Sequence, residues 1–225
     1  MIMDHRGMTV SFFPSFPGDE LDWVTLDVTP PPLISRWDCP PGDVRPEPVA
    51  LSVELGRSAS TVVLIEGARV YPDGVVLRLT VRVREQPAEL RRRVFQQLSV
   101  SHGRGMLHLA LPPGGLRWGV EFADGQRVTS LDDYSPHTDR PPEVMPADWV
   151  PDRPVMRGLG RVDTFGAAWA RDIWLWPLPP PGPLRLVCAW PDRGVPETAT
   201  SIDAGPLRDA AARARPEWPV DPEDR

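Results

Sequence analysis

Thirty of the 225 residues are proline, and most lie between apolar runs, not inside them. Proline fixes φ and lacks an N–H, so it is excluded from helix interiors and from the middle of a paired sheet. The chain is therefore cut into short segments joined by stiff turns. Those segments alternate with a period of two. Leu77, Leu79, Val81 and Val83 point one way, and Arg78, Thr80, Arg82 and Arg84 the other. That is the pattern of a half-buried strand. Tyr71-Pro72-Asp73-Gly74 is turn chemistry, and the β-branched run Val62 to Ile65 precedes it, so 60–84 reads as a hairpin. Leu116, Trp118, Val120 and Phe122 alternate likewise, and Asp124-Gly125 turns the chain into Arg127 to Thr129, a second hairpin.

Further strands are expected at 8–13, 23–28, 49–55, 107–111, 173–178 and 184–190. The last two are joined by Pro179-Pro180-Pro181-Gly182-Pro183 and read as a tryptophan–proline hairpin. Two stretches look helical. A short one opens at Pro87 and runs through Leu98. The firmer one is capped by Asp203, carries Pro206 in its first turn, and repeats Leu207, Ala210, Ala211 and Ala214 at helical spacing until Pro216. The fold class expected is mostly β: an antiparallel β-sandwich, with the immunoglobulin-like form one version of it, carrying a C-terminal helix and a short central one. An open barrel is the alternative architecture. The organisation expected is one domain over 1–216, a long flexible loop at 132–163 rich in proline and charge, and an acidic tail at 217–225.

Composition narrows the chemistry. All 25 basic residues are arginine, and there is no asparagine. Lysine Schiff bases, a phosphate-loop lysine and N-glycosylation are thereby excluded. A net charge of −6 argues against nucleic acid and anionic membrane as bulk partners. Residues 1–7 carry Asp4 and Arg6, and the apolar run behind them is broken by Pro14, so neither a signal peptide nor a membrane span is expected. Met3 and Met8 are alternative starts. A cytoplasmic address follows.

No residue cluster forms a catalytic signature, and none has the spacing of a cofactor site. Cys39 and Cys188 are too few and too far apart for a zinc site or a disulfide framework. His102 and His108 flank a strand start, while His5 and His137 are isolated; solvated or packed rings are the plain reading. Asp132, Asp133, His137, Asp139 and Glu143 offer oxygen donors, but prolines interrupt them and no calcium loop matches. Neither a metal nor a cofactor is therefore expected. Ser101 and His102 are sequence neighbours that a strand would point apart. Glu54, Glu66 and Glu121 are candidates for paired carboxylates, with exposed strand positions the simpler account. Gly158-Leu159-Gly160 is a fragment of a nucleotide loop and no more. The arginine stripe of Arg78, Arg82 and Arg84 suits phosphate, yet charge on strand faces ordinarily serves to prevent sheet-to-sheet association.

The segment Ile173-Trp-Leu-Trp-Pro-Leu-Pro-Pro-Pro-Gly-Pro-Leu184, with Val187-Cys-Ala-Trp-Pro191 and Pro196-Glu-Thr, resembles the C-terminal signature of uncharacterised proteins from high-GC actinobacteria. Ala68 to Gly74 and Val120 to Gly125 resemble internal motifs of the same group. The glycine-rich stretch common before its tryptophans is represented here by Gly158, Gly160 and Gly166. The resemblance implies a fold family with no assigned activity and supplies no catalytic residue.

Two functions follow. The first is a non-catalytic protein–protein interaction or structural module, whose partner is another protein or a second copy. Its contact surface would be Trp174, Trp176, Pro179, Pro180 and Pro181. The alternative is a small-ligand-binding protein or hydrolase with a pocket near the 132–163 loop. Trp174 and Trp176 share one strand face while Ile173 and Leu175 occupy the other, so both faces need cover. The helix, the 132–163 stretch or a partner would supply it.

Overall fold

The computed structural model describes residues 35–84, 87–102, 113–132, 140–141, 143–144 and 149–218, together with two short strands near the N-terminus. The chain divides into two compact units, Met1–Pro32 and Leu33–Arg225. In the first, β1 (Ile2–Met3) pairs antiparallel with β2 (Thr9–Val10). The expected strands at 23–28 and 107–111, and most of that at 8–13, lie outside the described residues.

The second unit is mostly β. Its strands are β3 (Val44–Arg45), β4 (Glu47–Arg57), β5 (Thr61–Val70), β6 (Val75–Val83), β7 (Arg117–Glu121), β8 (Arg127–Thr129), β9 (Val155–Phe165), β10 (Ala168–Trp176), β11 (Pro183–Trp190), β12 (Val195–Asp203) and β13 (Arg215–Pro216). They form an antiparallel five-stranded sheet in the order β4-β5-β6-β10-β9, a four-stranded sheet in the order β12-β11-β7-β8, and a β13-β3 pair. Both hairpins read from alternation are present. Tyr71 N–H donates to Gly74 O at 2.9 Å, and Gly125 takes φ 86°, the left-handed region that glycine enters freely. Alternation also sets the register: Leu77, Leu79 and Val81 face Ile173, Arg171 and Trp169 across the β6–β10 ladder.

One hydrophobic cluster joins the two sheets. Val63, Ile65, Leu77, Trp169 and Leu175 meet Trp118, Val120, Leu184, Leu186 and Trp190. On one flank the edge strands β4 and β12 approach each other. Thr198 Oγ1 donates to Leu55 O, and Thr200 Oγ1 donates to Glu54 O at 3.2 Å, so threonine hydroxyls satisfy carbonyls of an edge strand. A Cβ on Gly56 would stand 2.6 Å from Val195 Cγ1, which explains glycine at this approach.

Several features differ from expectation. Strand β9 starts inside the stretch read as a loop. It is an edge strand with little burial, and a register shift opposite Ala170 to Asp172 destroys its alternation. Strand β12 escaped notice for the same reason: only Val195 is buried along it. The tryptophan–proline segment is no hairpin. β10 and β11 belong to different sheets, and residues 177–182 cross between them, because successive prolines carry no N–H to pair. The crossing is fixed by Leu178 N–H to Asp73 O at 2.7 Å and by Arg208 Nη1 to Pro179 O at 3.1 Å. The helices exchange importance. α1 (Ala88–Ser101) has 14 residues and buries Phe95 and Leu98, whereas α2 (Gly205–Ala211) has seven and buries Leu207 and Ala210. α2 stops early because the chain must return to pair β13 with β3.

Cover for the second face of β10 comes from 35–40. Trp174 is wholly buried, its Nε1 donating to Arg36 O at 3.2 Å and its ring edge-on to Tyr71 at 5.6 Å. Trp37 lies edge-on to Trp149 at 5.1 Å and donates to Trp149 O at 2.8 Å. Arg36–Asp73 at 2.8 Å and Arg157–Asp38 at 2.9 Å tie down this strap. Removing a buried tryptophan leaves a cavity, so Trp174→Ala is expected to cost about 3–5 kcal/mol in urea unfolding. Trp176→Ala, at a half-buried position, should cost clearly less. Equal losses would mean that the strap does not cover Trp174 selectively.

Candidate functional site

The alternating face of β6 carries Arg78 and Arg82, and each is matched by a carboxylate. Arg78 bonds Asp163 at 2.6 Å and Asp172 at 3.1 Å, Arg69 reaches Asp172 at 2.8 Å, and Arg82 reaches Glu66 at 2.8 Å. The Asp163 hydrogen bond holds the Arg78 guanidinium above its ordinary pKa against partial burial. The stripe is thus a balanced ladder, with exposed Arg84 at its end. The three strand glutamates are separated in the same way. Glu54 pairs with Arg57, Glu66 with Arg82, and Glu121 with Arg185 at 3.3 Å on the other sheet.

The tryptophan–proline residues are divided by the fold. Trp174 and Pro179 are buried, Trp176 and Pro180 are half-buried, and Pro181 is exposed. The surface they present is therefore Trp176, Pro180 and Pro181. Cys188 is buried in the shared core, and that burial pushes its thiol up to about 12. Cys39 is half-buried beside Asp38, and desolvation raises its thiol too. His5, His108, His137, Asp133 and Asp139 lie outside the described residues, as does the Ser101 side chain. Asp132 accepts from Thr129 N–H and Oγ1 and closes a turn. Among the described residues no three His, Cys, Asp or Glu side chains are grouped to hold a metal.

Two places stand out that the sequence reading passed over. The first is inside. Arg171 shares the inward face of β10 with Trp169, Ile173 and Leu175, and is 4% exposed. Its Nε has no hydrogen-bond partner. Its guanidinium lies over Gly158, where a Cβ would stand 2.3 Å from Nε. Beside it, His102 ends α1, its ring 6.2 Å from Trp169. Trp169 Nε1 donates to Ser99 Oγ at 3.0 Å, and Ser99 donates to Phe95 O, locking the helix onto the sheet. Extending the alternation of Ile173 and Leu175 by two and four residues was the signal that would have found Trp169 and Arg171.

The second place is a groove of about 830 Å³ between α1 and the turn joining β9 to β10. Glu89, Arg91, Arg92, Gln96 and Phe95 line the helix side, and Phe165, 83% exposed, ends β9 at the turn. Glu89 is shared by Arg92 and Arg93, whereas Arg91 has no carboxylate partner among the described residues. No family model, curated protein or solved structure matches this chain. Among the described residues no helix is long and apolar enough to cross a membrane.

Burial, and then the positive charge of Arg171, lowers the His102 pKa from 6.5 to about 4. The folded state therefore binds fewer protons than the unfolded chain between those values, and stability falls as pH drops from about 6.5 to 4. The shift corresponds to about 3 kcal/mol. Denaturant unfolding across this window should show that loss in the wild type and a smaller loss in His102→Leu. Identical slopes would place the His102 ring in solvent.

Proposed function

We propose that the protein is a non-catalytic β-sandwich module, immunoglobulin-like in its two-sheet packing, that binds an acidic segment of a partner protein. The observation that carries this reading is the groove between α1 and the β9–β10 turn. Its volume is that of a ligand site, but most of its lining is solvent-exposed, so it suits an extended segment better than an enclosed small molecule. Phe165 is a large aromatic side chain left 83% exposed, of a class enriched at protein–protein interfaces. Arg91 supplies a charge with no carboxylate partner among the described residues, in a chain whose net charge is −6. The occupant that complements both is a peptide pairing an apolar side chain with Asp or Glu.

Such a module works by contact and needs neither metal nor cofactor. The free thiols of Cys39 and Cys188 suit a reducing, cytoplasmic compartment. The small-ligand alternative draws support from Arg171 and not from this groove.

A displayed random-peptide library panned on the wild type should enrich acidic sequences with an aromatic or aliphatic residue. Phe165→Asp should abolish retention, and Arg91→Glu should weaken it at least tenfold. Enrichment of basic or uncharged peptides, retention unaffected by Phe165→Asp, or self-association through this groove would each overturn the reading.

A further inference from the structure

We infer that Arg171, buried on the inward face of β10 against Gly158, is an internal oxyanion site that takes a small carboxylate or phosphate. This is separate from the groove: none of the groove's lining residues is Arg171, Gly158 or His102. A guanidinium stays charged at any pH a protein meets, so burial cannot be relieved by losing the proton. A buried charge without a counter-charge is among the most destabilising features a core can carry. Among the described residues no carboxylate forms an ion pair with Arg171, and desolvation of its guanidinium outweighs the more distant charge of Asp172. Asp172, its neighbour in sequence, projects from the opposite face of β10 and is held by Arg69 and Arg78.

The surroundings are shaped for this arginine. Gly158 is the sole residue type that leaves room, since a Cβ would also fall 2.9 Å from Cζ and Nη2. β9 loses register opposite Arg171, between the partners of Ala170 and Asp172, and Gly160 takes φ 58° there. An aliphatic residue at 171 would continue the row of Trp169, Ile173 and Leu175 and pack without any charge to desolvate. A guanidinium fork instead matches two oxygens of one carboxylate or phosphate. The imidazole of His102, kept neutral by burial, adds no second positive charge beside it. The ligand class is thus a small molecule bearing one planar or tetrahedral oxyanion.

The test is titration of the intact protein with sodium phosphate and, separately, sodium acetate, each against sodium chloride at equal ionic strength. Calorimetry and thermal unfolding are the readouts. One anion should bind saturably at one per chain and raise Tm above the chloride control; the responding arm tells phosphate from carboxylate. Arg171→Lys keeps the charge but loses the fork, and should weaken binding about tenfold, one hydrogen-bonded interaction's worth. Arg171→Leu should abolish it and should unfold at the same Tm with or without the anion. If Arg171→Leu does not fold, the wild-type and Arg171→Lys titrations decide. No response to either anion in the wild type, or an undiminished response in Arg171→Lys, would overturn the inference.

Discussion

Burial of β10 on both faces is the constraint on which the rest of the molecule depends. Its inward face enters the core shared with the four-stranded sheet. Its outward face carries Trp174, Asp172 and Ala170, which a simple two-sheet arrangement would leave in water. Three devices deal with that face. Strap 35–40 seals Trp174, the Arg69–Asp172–Arg78–Asp163 ladder covers the middle, and Glu66–Arg82 continues it on the neighbouring strands. Exposed ion pairs of this sort contribute little stability one by one. Their effect here is to make a charged, hydrated surface of strands that would otherwise pair with another sheet.

The sequence was most legible where one face met water and the other met the core. Leu77 to Val83 and Leu116 to Phe122 show period two for that reason, and both hairpins follow. It was least legible at the sheet edges. β9 and β12 bury too few side chains to alternate, and their pairing is dictated by backbone geometry that side-chain pattern does not encode. The tryptophan–proline segment misled differently. Apolar runs flanking a proline turn look like a hairpin, yet the same prolines prevent pairing and send the chain to the second sheet.

The candidate sites had a mixed signal. Trp174 and Trp176 attracted notice as aromatic surplus, but their common face proved to be packed by residues more than a hundred positions away in the chain. Arg171 stood in the same strand at an alternating position and drew no attention, because a single charge beside Asp172 reads as a surface pair. Its inward orientation follows only once β10 is fixed between β6 and β9. Phe165 and Arg91 lie far apart in sequence and become neighbours only through the packing of α1 against the β9–β10 turn.

The most direct test of double-sided burial is native-state hydrogen exchange along β10. Amides from Asp172 to Leu175 lie in ladders with β6 and β9 and beneath both layers of cover. They should exchange only through global unfolding, at the free energy given by denaturant melts, and the Asp38 and Cys39 amides of the strap should follow at intermediate protection. Exchange of the β10 amides through a local opening far cheaper than global unfolding would contradict the account, since it would mean that the outward face of β10 is not held closed by its own chain.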